Sequence, residues 1–279
     1  MDKMTFRAIP QHKGIYQCAT SGSTGTPVIV QKYEPQKSTA LFSFGLLAKW
    51  HGWSRNAKTL RISPAATNEP KKVGNYIYCN HYIETDCTQY LGLPSELPAD
   101  ISQFDRIAVT GERWNGIGID IYSSEEFGVI AIQCPYNNEA LHIMPYLDIK
   151  FANDGSMSIT DTTHPYLIDY EVEDVAHPIN CGCGINLKAM THVCGRIRNR
   201  ILMANGSRKF PVFGFRDCVQ IKRFQIVQID QNILELRYSG ELPENYKNRI
   251  CSALGQDFQI IKIKDKFIGS KHEEFISFL

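Results

Sequence analysis

The densest run of groups able to grip a polyanion is Thr20-Ser21-Gly22-Ser23-Thr24-Gly25-Thr26-Pro27. Its glycines let backbone amides approach a phosphate closely, and its hydroxyls donate to phosphate oxygens. The same run would also serve as a Ser/Thr-rich turn between hairpin strands. It is not a Walker A loop, because no Gly-Lys-Ser/Thr follows. A second cluster is built on thiols. Cys181-Gly182-Cys183-Gly184 puts two of them on a tight turn, and Cys134 and His142 bracket the connection Pro135-Tyr136-Asn137-Asn138 upstream. These four side chains would complete a tetrahedral Cys₃His zinc site, structural because every position is filled by protein. The gap in Cys-x-Cys is tighter than the usual spacing, so the alternative stays open that Cys134 and His142 are ordinary core residues. Glu126 offers a carboxylate oxygen at the end of a probable strand. A hard cation bridging phosphates needs such an oxygen, although Glu125-Glu126 taken alone reads more simply as a solvated turn pair.

These groups need elements to position them. Residues 14–33 read as strand, glycine-rich loop, strand, and residues 38–53 as a well-buried helix. Leu60–Ile62, 104–110, 117–122, 127–134, 141–151 and 166–172 read as strands. After about residue 200 the texture changes: Phe224–Ile229 and Ile233–Tyr238 alternate as strands, Pro243–Leu254 reads as a helix, and Phe258–Ile263 as another strand. A β-β-α-β unit of this size fits a small α+β domain.

The bulk properties narrow the class. With 30 Lys and Arg against 29 acidic residues and a net charge of +1, nothing favours nucleic acid or an anionic membrane as partner. No apolar run reaches the ~20 residues of a membrane span, and the N-terminus has no signal-peptide h-region. Nine cysteines is an odd number for a chain of 279 residues; the expectation is a reduced, cytoplasmic protein whose remaining thiols are buried.

The Thr20–Pro27 loop resembles the phosphate signature of the adenylate-forming superfamily, which includes acyl-CoA synthetases and adenylation domains. With Val28 after the proline rather than lysine, it is most similar to the phenylacetate–CoA ligase branch. Other elements follow in the family's order. Thr110-Gly111-Glu112 resembles the Gly-Glu element beside adenine. Tyr122-Ser123-Ser124-Glu125-Glu126-Phe127-Gly128 is similar to Tyr-Gly-Ser-(Ser/Thr)-Glu-Phe-Gly, which implies that Tyr122 flanks adenine, that Ser124 lies in the nucleotide site, and that Glu126 holds Mg²⁺. Ile168–Asp174 resembles the Tyr-Arg-Thr-Gly-Asp element and gives Asp174 the ribose hydroxyls, with Glu173 in place of the glycine. Gly195-Arg196-Ile197-Arg198-Asn199 resembles the Gly-Arg-x-Asp-Asp hinge, implying a nucleotide contact for Arg196; Arg198 and Asn199 replace the hinge acids. Gly269-Ser270-Lys271 is similar to the terminal Ser-Gly-Lys segment and gives Lys271 the adenylation step. The branch also places a cysteine, a histidine and a Cys-x-Cys-Gly as here, which adds weight to the zinc site.

The resemblance implies an α/β fold: a large mixed-sheet core, shortened at the N-terminus, over residues 1–197, and a small α+β lid over 198–279. It implies an enzyme that forms acyl-AMP from ATP and a carboxylic acid (aryl or small) with Lys271, Glu126 and Arg196 acting in catalysis. The acyl group would then pass to CoA, a carrier-protein thiol or another nucleophile. The phosphate loop begins only at residue 20 and the stretch from Pro27 to Gly111 is short, so the acid is small, bound differently, or enclosed with a second copy or partner subunit. The alternative is a catalytically silent nucleotide-binding subunit of a larger complex, which Glu173, Arg198 and Asn199 favour.

Overall fold

The computed structural model describes residues 16–19, 29–32, 34–63, 66–112, 116–196, 199–209, 221–268 and 275–279. The chain divides into two compact units, one of residues 1–172 with 176–193, the other of 173–175 with 194–279.

The first unit is built on a ten-stranded mixed sheet in the order β14-β15-β10-β9-β8-β7-β6-β3-β5-β4. Its central strands β3 (Thr59–Ile62), β6 (Gln89–Gly92), β7 (Arg106–Val109) and β8 (Ile119–Ser124) run parallel, as does β5 (Tyr76–Cys79) beside β3. Every residue of β6 is buried, the continuous pattern expected of a parallel strand covered on both faces. From β8 onward the sheet turns antiparallel, through β9 (Gly128–Gln133), β10 (Leu141–Ile143), β15 (Ala189–Met190) and β14 (Pro178–Ile179). β4 (Lys71–Val73) closes the far edge, antiparallel to β5 and fully exposed.

Helix α1 (Glu34–His51) buries Ser43 and Leu47. Near its end Trp50 packs edge-on against His142, centroids 5.5 Å apart, and His51 Nε2 meets the Gln133 carbonyl oxygen at 2.8 Å. The core of this unit runs from Leu47 and Trp53 through Ile130, Ile132 and Leu141 to Met190, and a second cluster holds Leu60, Cys79, Cys87, Tyr90 and Val109. The expected strand over 141–151 is two strands, β10 and β11 (Leu147–Phe151). Pro145 lies between them and supplies no N–H to a ladder. β11 pairs antiparallel with β12 (Ser156–Asp161), and β13 (Tyr170–Val175) joins the same sheet. β1 (Tyr16–Ala19) and β2 (Ile29–Lys32) pair with each other, Ala19 opposite Ile29.

The second unit contains a four-stranded sheet in the order β21-β20-β19-β22. β19 (Ile221–Asp230) and β20 (Ile233–Gly240) form an antiparallel hairpin. α2 (Tyr246–Leu254) then carries the chain to β21 (Gln259–Lys264), which lies parallel to β20, and β22 (Phe275–Ser277) lies parallel to β19. Alternation sends Phe224, Ile226, Leu234, Leu236 and Phe275 into one core with Ile250, Cys251 and Leu254 of α2. A large mixed sheet with few helices, followed by a small α+β sheet domain, is the architecture expected from the sequence.

Candidate active site and metal knot

β7 ends opposite Asp120 while β8 runs on to Ser124, and just past the end of β7 the Thr110 hydroxyl lies 2.7 Å from that of Ser123 on β8. This brings together the Gly111-Glu112 element and the Tyr122–Phe127 segment at the carboxyl ends of parallel strands, where open α/β sheets bind ligands. Gly111 takes φ 82°, and a Cβ there would meet Leu93 Cδ2 at 3.1 Å. Both the left-handed conformation and the close approach call for glycine. Glu112 is committed to Ser95: one carboxylate oxygen accepts the Ser95 N–H at 3.0 Å and the other its hydroxyl at 2.9 Å. That contact ties the end of β7 to the short 3₁₀ turn Pro94–Glu96 that follows β6. No local sequence pattern pairs Ser95 with a residue 17 positions on.

The segment after β8 is a hairpin tip of three residues, closed by Gly128 at φ 71°, opposite Ser124. A glycine in the left-handed region is the usual closure of such a tip. Ser124 Oγ accepts the Phe127 N–H at 3.3 Å and thereby belongs to the turn. Glu125 is exposed, whereas Glu126 is only 5% exposed, so the pair is not a solvated one. A buried carboxylate at a hairpin tip is costly unless it is hydrogen-bonded. Tyr170, itself fully buried, donates its hydroxyl to Glu126 Oε1 at 3.1 Å. Tyr122 is buried on β8.

Asp174 and Arg196 meet in the second unit. They are opposite residues of the antiparallel pair β13 and β16 (Gly195–Arg196), with Arg196 Nε 3.9 Å from Asp174 Oδ1. Both side chains keep roughly a quarter to a third of their surface in solvent, and the contact between them is loose. Thr20, Ser21, Gly22, Ser23, Thr24, Gly25 and Lys271 lie outside the described residues.

The thiol cluster is assembled. Ligand atoms of Cys134, His142, Cys181 and Cys183 all lie within 4.8 Å of one another. His142 Nε2 is 3.2 Å from Cys183 Sγ, and Cys181 Sγ is 3.5 Å from Cys134 Sγ. Burial holds His142 below the ordinary imidazole range, which keeps it in the neutral form that binds metals. Burial, reinforced by the neighbouring thiols, pushes Cys181 up to about 11. Cys183 is drawn below the ordinary thiol range, because the Ile185 N–H and the neighbouring thiols outweigh its own burial. Three thiols and one imidazole gathered this closely are a zinc donor set, and a divalent cation would favour the deprotonated thiols.

No protein-family model and no curated protein matches the chain. Solved structures do. A 2-hydroxyisobutyryl-CoA ligase, in the postadenylation state with R3-HIB-AMP, superimposes with a TM-score of 0.71 at 10% identity, over 98% of this chain and 75% of that one. ATP-bound MatB from Rhodopseudomonas palustris gives 0.56 at 10% identity, over 94% and 65% of the two chains. The o-succinylbenzoate coenzyme A synthetase of Bacillus subtilis, with ATP and magnesium ion, gives 0.55 at 10%, over 88% and 66%. The fold is that of the adenylate-forming, AMP-forming ligases. No helix among the described residues is long and apolar enough to cross a membrane.

Proposed function

We propose that this chain activates a carboxylic acid with ATP, giving acyl-AMP and pyrophosphate, and passes the acyl group to the thiol of CoA or a carrier protein, or to another nucleophile. The observation that carries this reading is the buried Glu126 at a hairpin tip, beside the carboxyl ends of parallel strands, on an adenylate-forming fold. Structures of similar fold are acyl-CoA ligases holding ATP, an acyl-adenylate or magnesium.

In this reading the Thr20–Gly25 amides and hydroxyls receive the phosphates, and Tyr122 lies against adenine beside Gly111, Glu112 and Ser124. Asp174 accepts the ribose hydroxyls, a charge-assisted contact, and Arg196 meets the nucleotide. Glu126 supplies the carboxylate for Mg²⁺, which when bound offsets phosphate charge. Lys271 places an ammonium beside the carboxylate and α-phosphate, where charge develops in the transition state. Cys134, His142, Cys181 and Cys183 hold a structural zinc apart from the chemistry, as the phenylacetate–CoA ligase-like motifs suggest. The core over residues 1–197, the lid over 198–279 and a cytoplasmic setting belong to the same reading, with an acid that is small, bound differently, or partly enclosed by a second copy or partner subunit.

The test is product formation. Purified protein, ATP, Mg²⁺ and hydroxylamine are incubated with a panel of aryl, short aliphatic and amino acids. At least one acid should yield its hydroxamate with equimolar AMP. ATP binding without hydroxamate from any acid would instead support the silent-subunit reading, which Glu173 in place of the motif glycine already favours.

A further inference from the structure

Glu126 and Tyr170 are 44 residues apart in sequence and share a hydrogen bond in the core. Tyr170 has no accessible surface, and its ring stands edge-on to Phe127, centroids 5.6 Å apart and planes at 73°. The ring therefore packs on the residue after Glu126 while its hydroxyl reaches the Glu126 carboxylate. The backbone just before it is unusual. Asp169 is one of two non-glycine residues with positive φ among those described, at 47°, a left-handed conformation that aspartate adopts more readily than most residues when its polar groups are held locally. Thr160 and Lys150 hold Asp169 there: its N–H donates to Thr160 Oγ1 at 2.9 Å, and Lys150 Nζ donates to its carboxylate at 2.8 Å. Asp169 immediately precedes Tyr170, where β13 begins.

We propose that Tyr170 is a positioning residue for Glu126: its hydroxyl fixes one carboxylate oxygen and so presents the group in one orientation to the cation of a bound Mg²⁺–nucleotide. The inference rests on the proposed reading of Glu126 as the magnesium ligand. A carboxylate on a hairpin tip has several rotamers, and ordering it on cation arrival costs affinity that a preset orientation avoids. Packing alone does not require the hydroxyl, since phenylalanine would fill the same space against Phe127.

The experiment measures ATP binding by calorimetry, with EDTA and with saturating MgCl₂, in wild type, Tyr170→Phe, Glu126→Gln and the double variant. The readout is the ratio of the two affinities, which a general structural defect would leave unchanged. In wild type Mg²⁺ should strengthen ATP binding. Tyr170→Phe should keep the EDTA affinity and lose about three- to tenfold of the enhancement, the size of one typical net hydrogen bond. Glu126→Gln should lose more, and adding Tyr170→Phe to it should change nothing further, because Tyr170 acts through Glu126. Full enhancement in Tyr170→Phe alongside its loss in Glu126→Gln would overturn the positioning role alone. Full enhancement in Glu126→Gln would remove the magnesium reading of Glu126, and the proposal with it.

Discussion

His192 stands 2.6 Å from Asp120, its Nδ1 against the carboxylate, and its Nε2 lies 2.6 Å from the Asn138 carbonyl oxygen. One ring therefore ties β8 to the Pro135–Ala140 connection, whose two ends carry Cys134 and His142. Gln133 reinforces the tie: its Oε1 accepts the Asp120 N–H at 2.8 Å, and its Nε2 donates to Asn138 Oδ1 at 3.3 Å. The His192 and Asp120 side chains are 13% and 8% exposed, so water replaces the lost contacts poorly. His192→Leu should destabilise the fold by about 1–3 kcal/mol and speed release of the knot's metal to a chelator. Urea denaturation and a metal-release time course check both.

The knot itself has a direct assay. Elemental analysis of protein purified without chelator should give close to one zinc per chain. Cys181→Ser should lose the metal together with much of the thermal stability, because binding free energy at a structural zinc is folding free energy. Metal-free wild type with unchanged thermal stability would remove the site.

Asp174→Ala should weaken ATP or AMP binding at least tenfold, consistent with ~1.5–3 kcal/mol for hydrogen bonds to a charged group. The Arg196 contact at 3.9 Å is too long to be a strong ion pair, and its loss by itself should cost little stability. Calorimetry and thermal unfolding on the same samples separate the two effects; unchanged affinity would place the ribose elsewhere.

In the second unit Gln225 is fully buried and grips one residue twice. The Ile268 N–H donates to its Oε1 at 3.0 Å, and its Nε2 donates to the Ile268 carbonyl oxygen at 2.9 Å. Arg223 stacks over the neighbouring Phe267 ring, 4.3 Å from its centroid. Gln225→Leu keeps the volume but removes both hydrogen bonds, and should lower the unfolding free energy by about 1–3 kcal/mol without changing the denaturant slope.

The hairpin of β19 and β20 was legible from alternation. Helix α1, expected over 38–53 and well buried because apolar residues fall on most of its faces, spans Glu34–His51 but buries only Ser43 and Leu47 among its described side chains and leaves Leu41 and Phe42 exposed. β4 was missed because Lys71–Val73 is exposed throughout and has no buried face to betray it. β6 was missed because a buried Gln89 and a terminal Gly92 break the apolar run. The clustering of Cys134, His142, Cys181 and Cys183 was legible because a Cys-x-Cys turn with a cysteine and a histidine upstream matches the donor types and number of one metal site. The Tyr170–Glu126 and Ser95–Glu112 contacts were not legible, since tertiary packing alone brings such distant residues together.

The central claim is carboxylate activation, and ATP–pyrophosphate exchange tests it most directly. Wild type and Lys271→Ala are compared at saturating Mg²⁺–ATP with each acid of the panel. The account predicts exchange with at least one acid in wild type. It also predicts a fall of roughly 100- to 1,000-fold in Lys271→Ala with ATP affinity preserved, the loss expected for one preorganised charge used mainly in the transition state. Tight ATP binding with no exchange from any acid, or equal exchange in the two proteins, would contradict it.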